Sequence, residues 1–143
     1  MVKRTLASIV VLSFFMAPTI KACLASETLG TIGWHITNLT NMSNQPIEMQ
    51  RDYLWLDVEI GNSFFLVYGT FMDNSGNNVE AAHGSGYTFV NDDGSGSIKM
   101  EVRAGTYIYK LDLDMNSLGG TIAIYDKNGD IFAVGSVDLE GIH

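Results

Sequence analysis

The feature that most constrains the fold is a strict alternation of apolar and polar side chains between residues 97 and 115. Ile98, Met100 and Val102 alternate with polar residues, and the pattern resumes after Ala104-Gly105. The apolar positions of the second run are Tyr107, Tyr109, Leu111, Leu113 and Met115. A period of two places alternate side chains on opposite faces of a strand. The pattern therefore predicts two antiparallel strands, each with one buried face.

The same period recurs along most of the chain. Strands are predicted at 29–39, 52–60, 63–73, 79–90, 97–103, 107–115, 121–126 and 130–139. None of these segments has the 3.6-residue period of a long amphipathic helix. Eight short strands joined by hairpins predict an all-β domain that closes into an eight-stranded antiparallel up-and-down barrel, because closure removes exposed strand edges. A two-sheet β-sandwich is the alternative.

The turn after the second strand predicts a register. Gly61-Asn62 suits a two-residue hairpin turn, because both residues tolerate positive φ. That turn pairs Val58 with Phe65 and Leu56 with Val67. Apolar residues then occupy the inner face of both strands.

The turn before the last strand contains Asn128-Gly129. A two-residue loop places Lys127 opposite Asp130, whereas a three-residue loop places Asp126 opposite Asp130, an unfavourable pair. The two-residue loop is therefore expected. It pairs Ile124 with Ala133, Ile122 with Gly135, Ala123 with Val134 and Tyr125 with Phe132.

Residues 1–25 have the parts of an export signal. Lys3 and Arg4 precede an apolar segment over residues 6–20, and the small residues Ala22, Cys23 and Ala25 follow. We predict a signal peptide over 1–25, a single domain over 26–143 and a secreted or periplasmic location. Residues 20–23 also resemble a bacterial lipobox, so an alternative is a lipoprotein anchored at Cys23.

Loss of that segment would leave a strongly acidic chain. The whole sequence has 8 Lys and Arg against 16 Asp and Glu. Lys3, Arg4 and Lys21 precede residue 26 and no acidic residue does, so 5 minus 16 leaves a formal charge of −11. This charge disfavours nucleic acid and anionic membrane surfaces as partners. It favours solubility, cations or a basic protein as a partner.

The fourth strand suggests a ligand site. If the face that begins apolar lines the barrel, His83, Ser85 and Tyr87 point into the lumen. Tyr107 and Tyr109 are expected to face the same space. An apolar lumen with a few hydroxyls and one imidazole suits a small, largely apolar ligand. The leading prediction is therefore a non-enzymatic barrel that binds such a ligand through these five residues.

The layout is similar to that of calycin-like barrels such as lipocalins and avidins, which have eight strands. Lipocalins carry a Gly-x-Trp motif in the first strand, whereas Gly33 here directly precedes Trp34. The resemblance therefore lies in the strand number alone and implies a closed barrel.

Two other functions remain open. The segment His83-Gly84-Ser85-Gly86-Tyr87 resembles the Ser/Gly/Tyr-rich loop of some exported bacterial lysozyme inhibitors. Together with the acidic charge, this resemblance implies a protein-binding module, such as an inhibitor of a basic enzyme with a lysozyme-like target. Alternatively, a barrel isomerase or cyclase would use His83 and the tyrosines as acid and base.

No motif indicates a cofactor or a metal. Residues 126–130 have the Asp and Asn spacing that begins an EF-hand loop, but Gly129 occupies the fourth position and Val137 the twelfth. No His and Cys cluster indicates zinc. Apolar residues on the outward faces predict an interface between copies of the chain. They are Trp55, Tyr68, Tyr125 and Phe132, with Leu66 and Val134 beside them.

Overall fold

The computed structural model describes residues 27–61 and 64–143, and the predicted signal peptide lies outside the described residues. The described chain contains eight antiparallel strands and no helix. The strands are β1 (Glu27–Thr40), β2 (Tyr53–Ile60), β3 (Phe65–Met72), β4 (Asn78–Val90), β5 (Gly96–Ala104), β6 (Tyr107–Asp114), β7 (Gly120–Tyr125) and β8 (Ile131–Ile142). Each strand pairs with the next, and β8 pairs with β1. The eight-stranded barrel is confirmed, and the sandwich alternative is wrong.

Alternate side chains of the strands fill the inside of the barrel. An eight-stranded barrel is just wide enough for side chains to occupy its interior. The largest fully buried side chains are Trp34, Tyr109, Phe71, Leu54, Leu56, Leu111, Leu113, Leu118, Ile122, Ile124 and Val67. They belong to one continuous hydrophobic cluster. The interior is therefore the core of the domain.

Chain segments cover both ends of this core. At one end, Leu118 in the turn after β6 is buried, and its carbonyl accepts a 2.7 Å hydrogen bond from Trp34 Nε1. At the other end, Ile47 and Met49 in the segment between β1 and β2 pack against the core. Arg51 in the same segment donates to Glu80 Oε2 at 2.7 Å.

Inward-facing glycines allow the strands to bend into a closed barrel. A Cβ at Gly84 would lie 1.9 Å from the carbonyl oxygen of Glu101 on the next strand. A Cβ at Gly69 would lie equally close to the Trp55 oxygen. No side chain fits at such distances, so these positions require glycine.

Four turns share one hydrogen-bond pattern. In each, the first residue exchanges backbone bonds with the fourth and fifth residues, at distances of 2.7 to 3.1 Å. The first residues are Asn41, Asp73, Asn91 and Asp126. The fourth residue has positive φ in every case: Asn44, Gly76, Gly94 and Gly129. This is the three-residue hairpin loop that ends in a left-handed residue.

The prediction of a two-residue loop at Asn128-Gly129 is wrong. The Asp126 N–H donates to the Asp130 carbonyl at 2.9 Å, which defines a three-residue loop. The Asp126 carboxylate accepts the N–H groups of Asn128 and Asp130, at 2.8 and 3.1 Å. These hydrogen bonds offset the unfavourable pairing of the Asp126 side chain with that of Asp130.

The rest of the β7–β8 register is largely as expected. Ile124 pairs with Ala133, Ile122 with Gly135 and Ala123 with Val134. Tyr125 pairs with Ile131 and not with Phe132, because a register shift follows Ile124. The extra loop residue and this irregularity cancel, so the same side chains face inward.

The predicted β2–β3 register is wrong by two residues. Val58 pairs with Val67 instead of Phe65, and Leu56 pairs with Gly69. The connection is longer than a two-residue turn: the Gly61 N–H donates to the Phe64 carbonyl at 2.9 Å. A shift of two leaves the inward and outward faces unchanged.

The close approach of the β5 backbone to Gly84 predicts a large effect of a single methyl group. We expect Gly84→Ala to lower the free energy of unfolding by about 3 kcal/mol, because its Cβ overlaps the β5 backbone. Urea unfolding measures this change. Ser85→Ala, at the neighbouring exposed position, is the control and should change stability little. Equal stability of the two variants would contradict the close approach of the strands.

Candidate functional site

The outward face of β4 carries three of the predicted ligand residues. His83, Ser85 and Tyr87 are exposed. The inward positions between them include Gly84, which pairs with the buried Val67. The expectation that these three side chains line the lumen is therefore wrong.

Packing inside the barrel explains this orientation. The inward residues of β4 include Ala82, Gly84 and Gly86. A Cβ at Gly86 would lie 2.5 Å from both the Phe65 ring and the Lys99 carbonyl oxygen. Between Ala82 and Gly86, the inner wall at β4 has room only for very small residues. The larger side chains that alternate with them therefore lie outside.

The other two predicted residues, Tyr107 and Tyr109, lie on the inner side. Tyr109 is 1% exposed, and its ring packs against Phe71 with 4.5 Å between the centroids. Tyr107 is half-buried, and its ring centroid lies 6.3 Å from that of Tyr109 and 5.3 Å from that of Phe132. The barrel wall separates both tyrosines from His83. The five predicted residues thus do not form one site, and His83 cannot act with these tyrosines on one substrate.

A polar cluster lies beside Tyr109 at the end covered by the segment between β1 and β2. Arg51 Nε and Nη2 donate to Glu80 Oε2 at 3.1 and 2.7 Å, and Nη1 donates to the Met49 carbonyl at 2.8 Å. The buried Tyr109 hydroxyl has no hydrogen-bond partner among the described residues. Burial raises the pKa of Tyr109 to about 12, with a smaller lowering by Arg51 and a smaller raising by Glu80. This phenol is therefore neutral at physiological pH.

Large apolar side chains cluster on the outside of β3 and β4. We call Phe64, Leu66, Tyr68, Tyr87 and Phe89 the aromatic wall; each is 42 to 54% exposed. Leu66 lies opposite Ser85, and Tyr68 opposite His83. The surface therefore extends across the two strands. Tyr87 belongs to the aromatic wall, and His83 and Ser85 lie beside its β3 residues.

Carboxylates border the aromatic wall on the β2 side, where Asp57 pairs with Tyr68 and Glu59 pairs with Leu66. On β5, the outward side chain of Glu101 lies between those of Lys99 and Arg103. The wall therefore has an apolar centre, an acidic rim on β2 and a border of mixed charge on β5.

A groove of about 480 Å³ continues from the aromatic wall across β4 to β7. We call it the outer groove. Its lining residues are Phe64, Ser85, Gly86, Tyr87, Lys99, Met100, Glu101, Lys110, Leu111, Asp112, Thr121 and Ala123. Lys99 Nζ contacts Asp112 Oδ2 at 2.7 Å. Arg103 Nη2 lies 3.6 Å from Glu101 Oε1. Lys110 Nζ lies 4.7 Å from the centre of the Tyr125 ring.

Sequence reasoning missed the outer groove. The alternation of residues 97–115 places Lys99, Lys110 and Asp112 only on the polar faces of their strands. A usable signal exists in the meander: opposite charges occupy facing outward positions, as in the pairs Lys99–Asp112 and Glu101–Lys110. Such cross-strand pairs indicate the register, but the concave surface also depends on the barrel's curvature.

The predicted contact residues between copies differ in exposure. Tyr68 and Phe132 are exposed, as are Leu66 and Val134. The half-buried Trp55 ring covers Gly33 and stacks on His143, with 5.2 Å between centroids. Tyr125, also half-buried, lies under Lys110. An interface between copies through these residues stays a prediction.

Comparisons of the chain with protein-family models, curated proteins and solved structures found no match. Among the described residues, no group of three His, Cys, Asp or Glu side chains is arranged to hold a metal ion. The described part of the chain also has no helix long and apolar enough to cross a membrane.

The raised pKa of Tyr109 predicts a pH effect on stability. The folded protein holds this proton more tightly than the unfolded chain, whose tyrosine has a pKa near 10. Stability is therefore lost as pH rises from about 10 through about 12. We expect the free energy of unfolding of Tyr109→Phe, relative to that of the unmodified protein, to rise by about 2 kcal/mol between about pH 9 and 12. Urea unfolding measures the difference, and a constant difference across this range would contradict the burial of the phenol.

Proposed function

We propose that this protein is an exported protein-binding barrel that recognises a partner with a basic surface through the aromatic wall. The observation that carries the proposal is the contrast between the two sides of the barrel. The inside is filled by buried side chains, whereas the outside of β3 and β4 displays five large apolar side chains. Export rests on the sequence of residues 1–25.

Packing of the interior favours the outer wall over the lumen as the recognition surface. Trp34, Phe71 and Tyr109 occupy the inside together with aliphatic side chains. Leu118 covers one end, and Arg51 is fixed to Glu80 at the other. An apolar ligand in the lumen would have to displace these groups.

The aromatic wall has the composition of a binding surface. Two tyrosines, one phenylalanine and one leucine lie on neighbouring strands, and Phe64 directly precedes β3. Contiguous exposed apolar patches mark interaction sites, and aromatic residues are enriched at the centres of protein interfaces. A tyrosine also keeps a hydroxyl for a hydrogen bond at the edge of the contact. Leaving these side chains in water is unfavourable, and burial against a partner removes that cost.

Charge supports a basic partner. Asp57 and Glu59 border the wall on β2. On β5, Lys99 lies within 4 Å of the Asp112 carboxylate, and Arg103 lies within 4 Å of the Glu101 carboxylate. Residues 27–143 carry 5 Lys and Arg against 16 Asp and Glu. An acidic rim on an acidic protein complements lysines and arginines around an apolar contact.

The resemblance to a lysozyme-inhibitor loop is not matched by the local structure. Residues 83–86 pair with both β3 and β5 in the middle of β4, and Tyr87 pairs with β5. They form part of a surface and do not project as a loop. The proposed contact is therefore a face-to-face one on the partner's surface.

Affinity capture from the envelope and culture fluid of the producing organism tests the proposal. We expect the protein to retain a basic partner at low ionic strength and to release it at about 1 M salt, where charges are screened beyond about 3 Å. With the purified partner, Tyr68→Ala and Tyr87→Ala should each weaken binding about thirtyfold, as truncated central aromatic residues do. Combined Asp57→Asn and Glu59→Gln should slow association, and less so at high salt.

Matched controls lie on the other side of the barrel. Val134→Ala removes an exposed apolar side chain from β8, and Asp130→Asn removes an exposed carboxylate from the β7–β8 turn. Both variants should bind as the unmodified protein does. A partner that is acidic, or binding that the two tyrosine variants leave unchanged, would overturn the proposal.

A further inference from the structure

We infer that the outer groove is a binding site for a neutral oligosaccharide. The inference goes beyond the proposed protein partner, because it concerns a different ligand and a site that extends from β4 to β7. Three properties of the groove carry it: its size and position, its balanced charge, and the aromatic side chains at one end.

Size and position suit a short chain of sugar rings. The groove has a volume of about 480 Å³, within the range of about 300–1,000 Å³ that is usual for ligand sites. It is lined by residues of four consecutive strands. Three steps between strands span about 14 Å. An open groove of this length can hold an extended ligand while both ligand ends remain in solvent.

The charges that line the groove cancel. Lys99 and Lys110 face Glu101 and Asp112, so the four groups have no net charge. A charged ligand would be attracted by the two groups of opposite charge and repelled by the two groups of like charge. A sugar hydroxyl both donates and accepts hydrogen bonds, and therefore benefits from ammonium and carboxylate groups side by side.

Aromatic side chains at the β4 end complete the site. Tyr87 and Phe64 are 51 and 50% exposed and both line the groove. The ring faces of sugars present C–H groups, which pack against the face of an aromatic ring. Ser85 and Thr121 add hydroxyl groups at the two ends. An uncharged polyol can stack its C–H groups on the aromatic rings. Its hydroxyl groups can bind the neighbouring donors and acceptors.

Variants can separate this site from the proposed protein contact. Thr121 and Asp112 line the groove and lie outside the aromatic wall, whereas Tyr68 belongs to the wall and does not line the groove. Thr121→Arg places a long side chain in the groove and leaves the wall intact. Tyr68→Ala removes a side chain from the wall and leaves the groove intact.

Binding of the purified protein to an array of neutral and acidic oligosaccharides tests the inference, followed by NMR titration with the best neutral oligosaccharide. We expect binding to at least one neutral oligosaccharide, with amide shifts concentrated on β4 to β7. Tyr87→Ala and Asp112→Asn should each weaken binding at least about tenfold, as loss of one good contact does. Thr121→Arg should abolish it.

Two controls accompany these variants. Thr106→Arg adds the same side chain at an exposed turn position outside the groove, and should bind normally. Tyr68→Ala should also bind the oligosaccharide normally even where it loses the protein partner. Absence of any neutral oligosaccharide, binding of acidic oligosaccharides alone, or equal binding by Thr121→Arg and Thr106→Arg would overturn the inference.

Discussion

The close approach of neighbouring strands on the inside of the barrel is the constraint on which the rest of the structure depends. At Gly69, Gly84 and Gly120, a Cβ would lie within 2.0 Å of a carbonyl oxygen on the adjoining strand. All three positions face inward, opposite or beside large buried residues such as Leu56 and Leu113. Glycine at the bends therefore lets the sheet close while bulky side chains elsewhere fill the interior.

The outer surface follows from the same constraint. Between residues 82 and 86, the inner side of β4 has room only for the small residues Ala82, Gly84 and Gly86. The residues that alternate with them must lie outside, and Tyr87 and Phe89 are among them. The aromatic wall is thus the reverse side of the part of the barrel where packing is tightest. Both proposed contacts use this side, one with the acidic rim on β2 and the other with the paired charges on β5 to β7.

Several charged side chains of the barrel lie in two kinds of place: beside the core at one covered end, and in the turns between strands. The ion pair of Arg51 and Glu80 lies beside the buried phenol of Tyr109, under the segment between β1 and β2. Other carboxylates occupy turns, where backbone N–H groups bind them. The N–H of Asn77 is the largest cause of the lowered pKa of Asp73, and a hydrogen bond from the Ser95 side chain is the largest cause for Asp93. Acidic residues in these turns thus support the hairpins that join the strands.

The sequence by itself determined the strands, their order and the inward faces of most of them, because a period of two reports directly which side chains are buried. This holds for β5 and β6, where Met100 and Leu111 face inward as expected. Only the tertiary structure decided the orientation of β4, because small and polar residues occupy both of its faces and the pattern alone does not distinguish them. It likewise decided the β2–β3 register and the outer groove, since turn length and sheet curvature arise from contacts between residues far apart in the chain. Of the candidate site, the sequence identified Ser85 and Tyr87, and the close packing inside the barrel placed them on its outer surface.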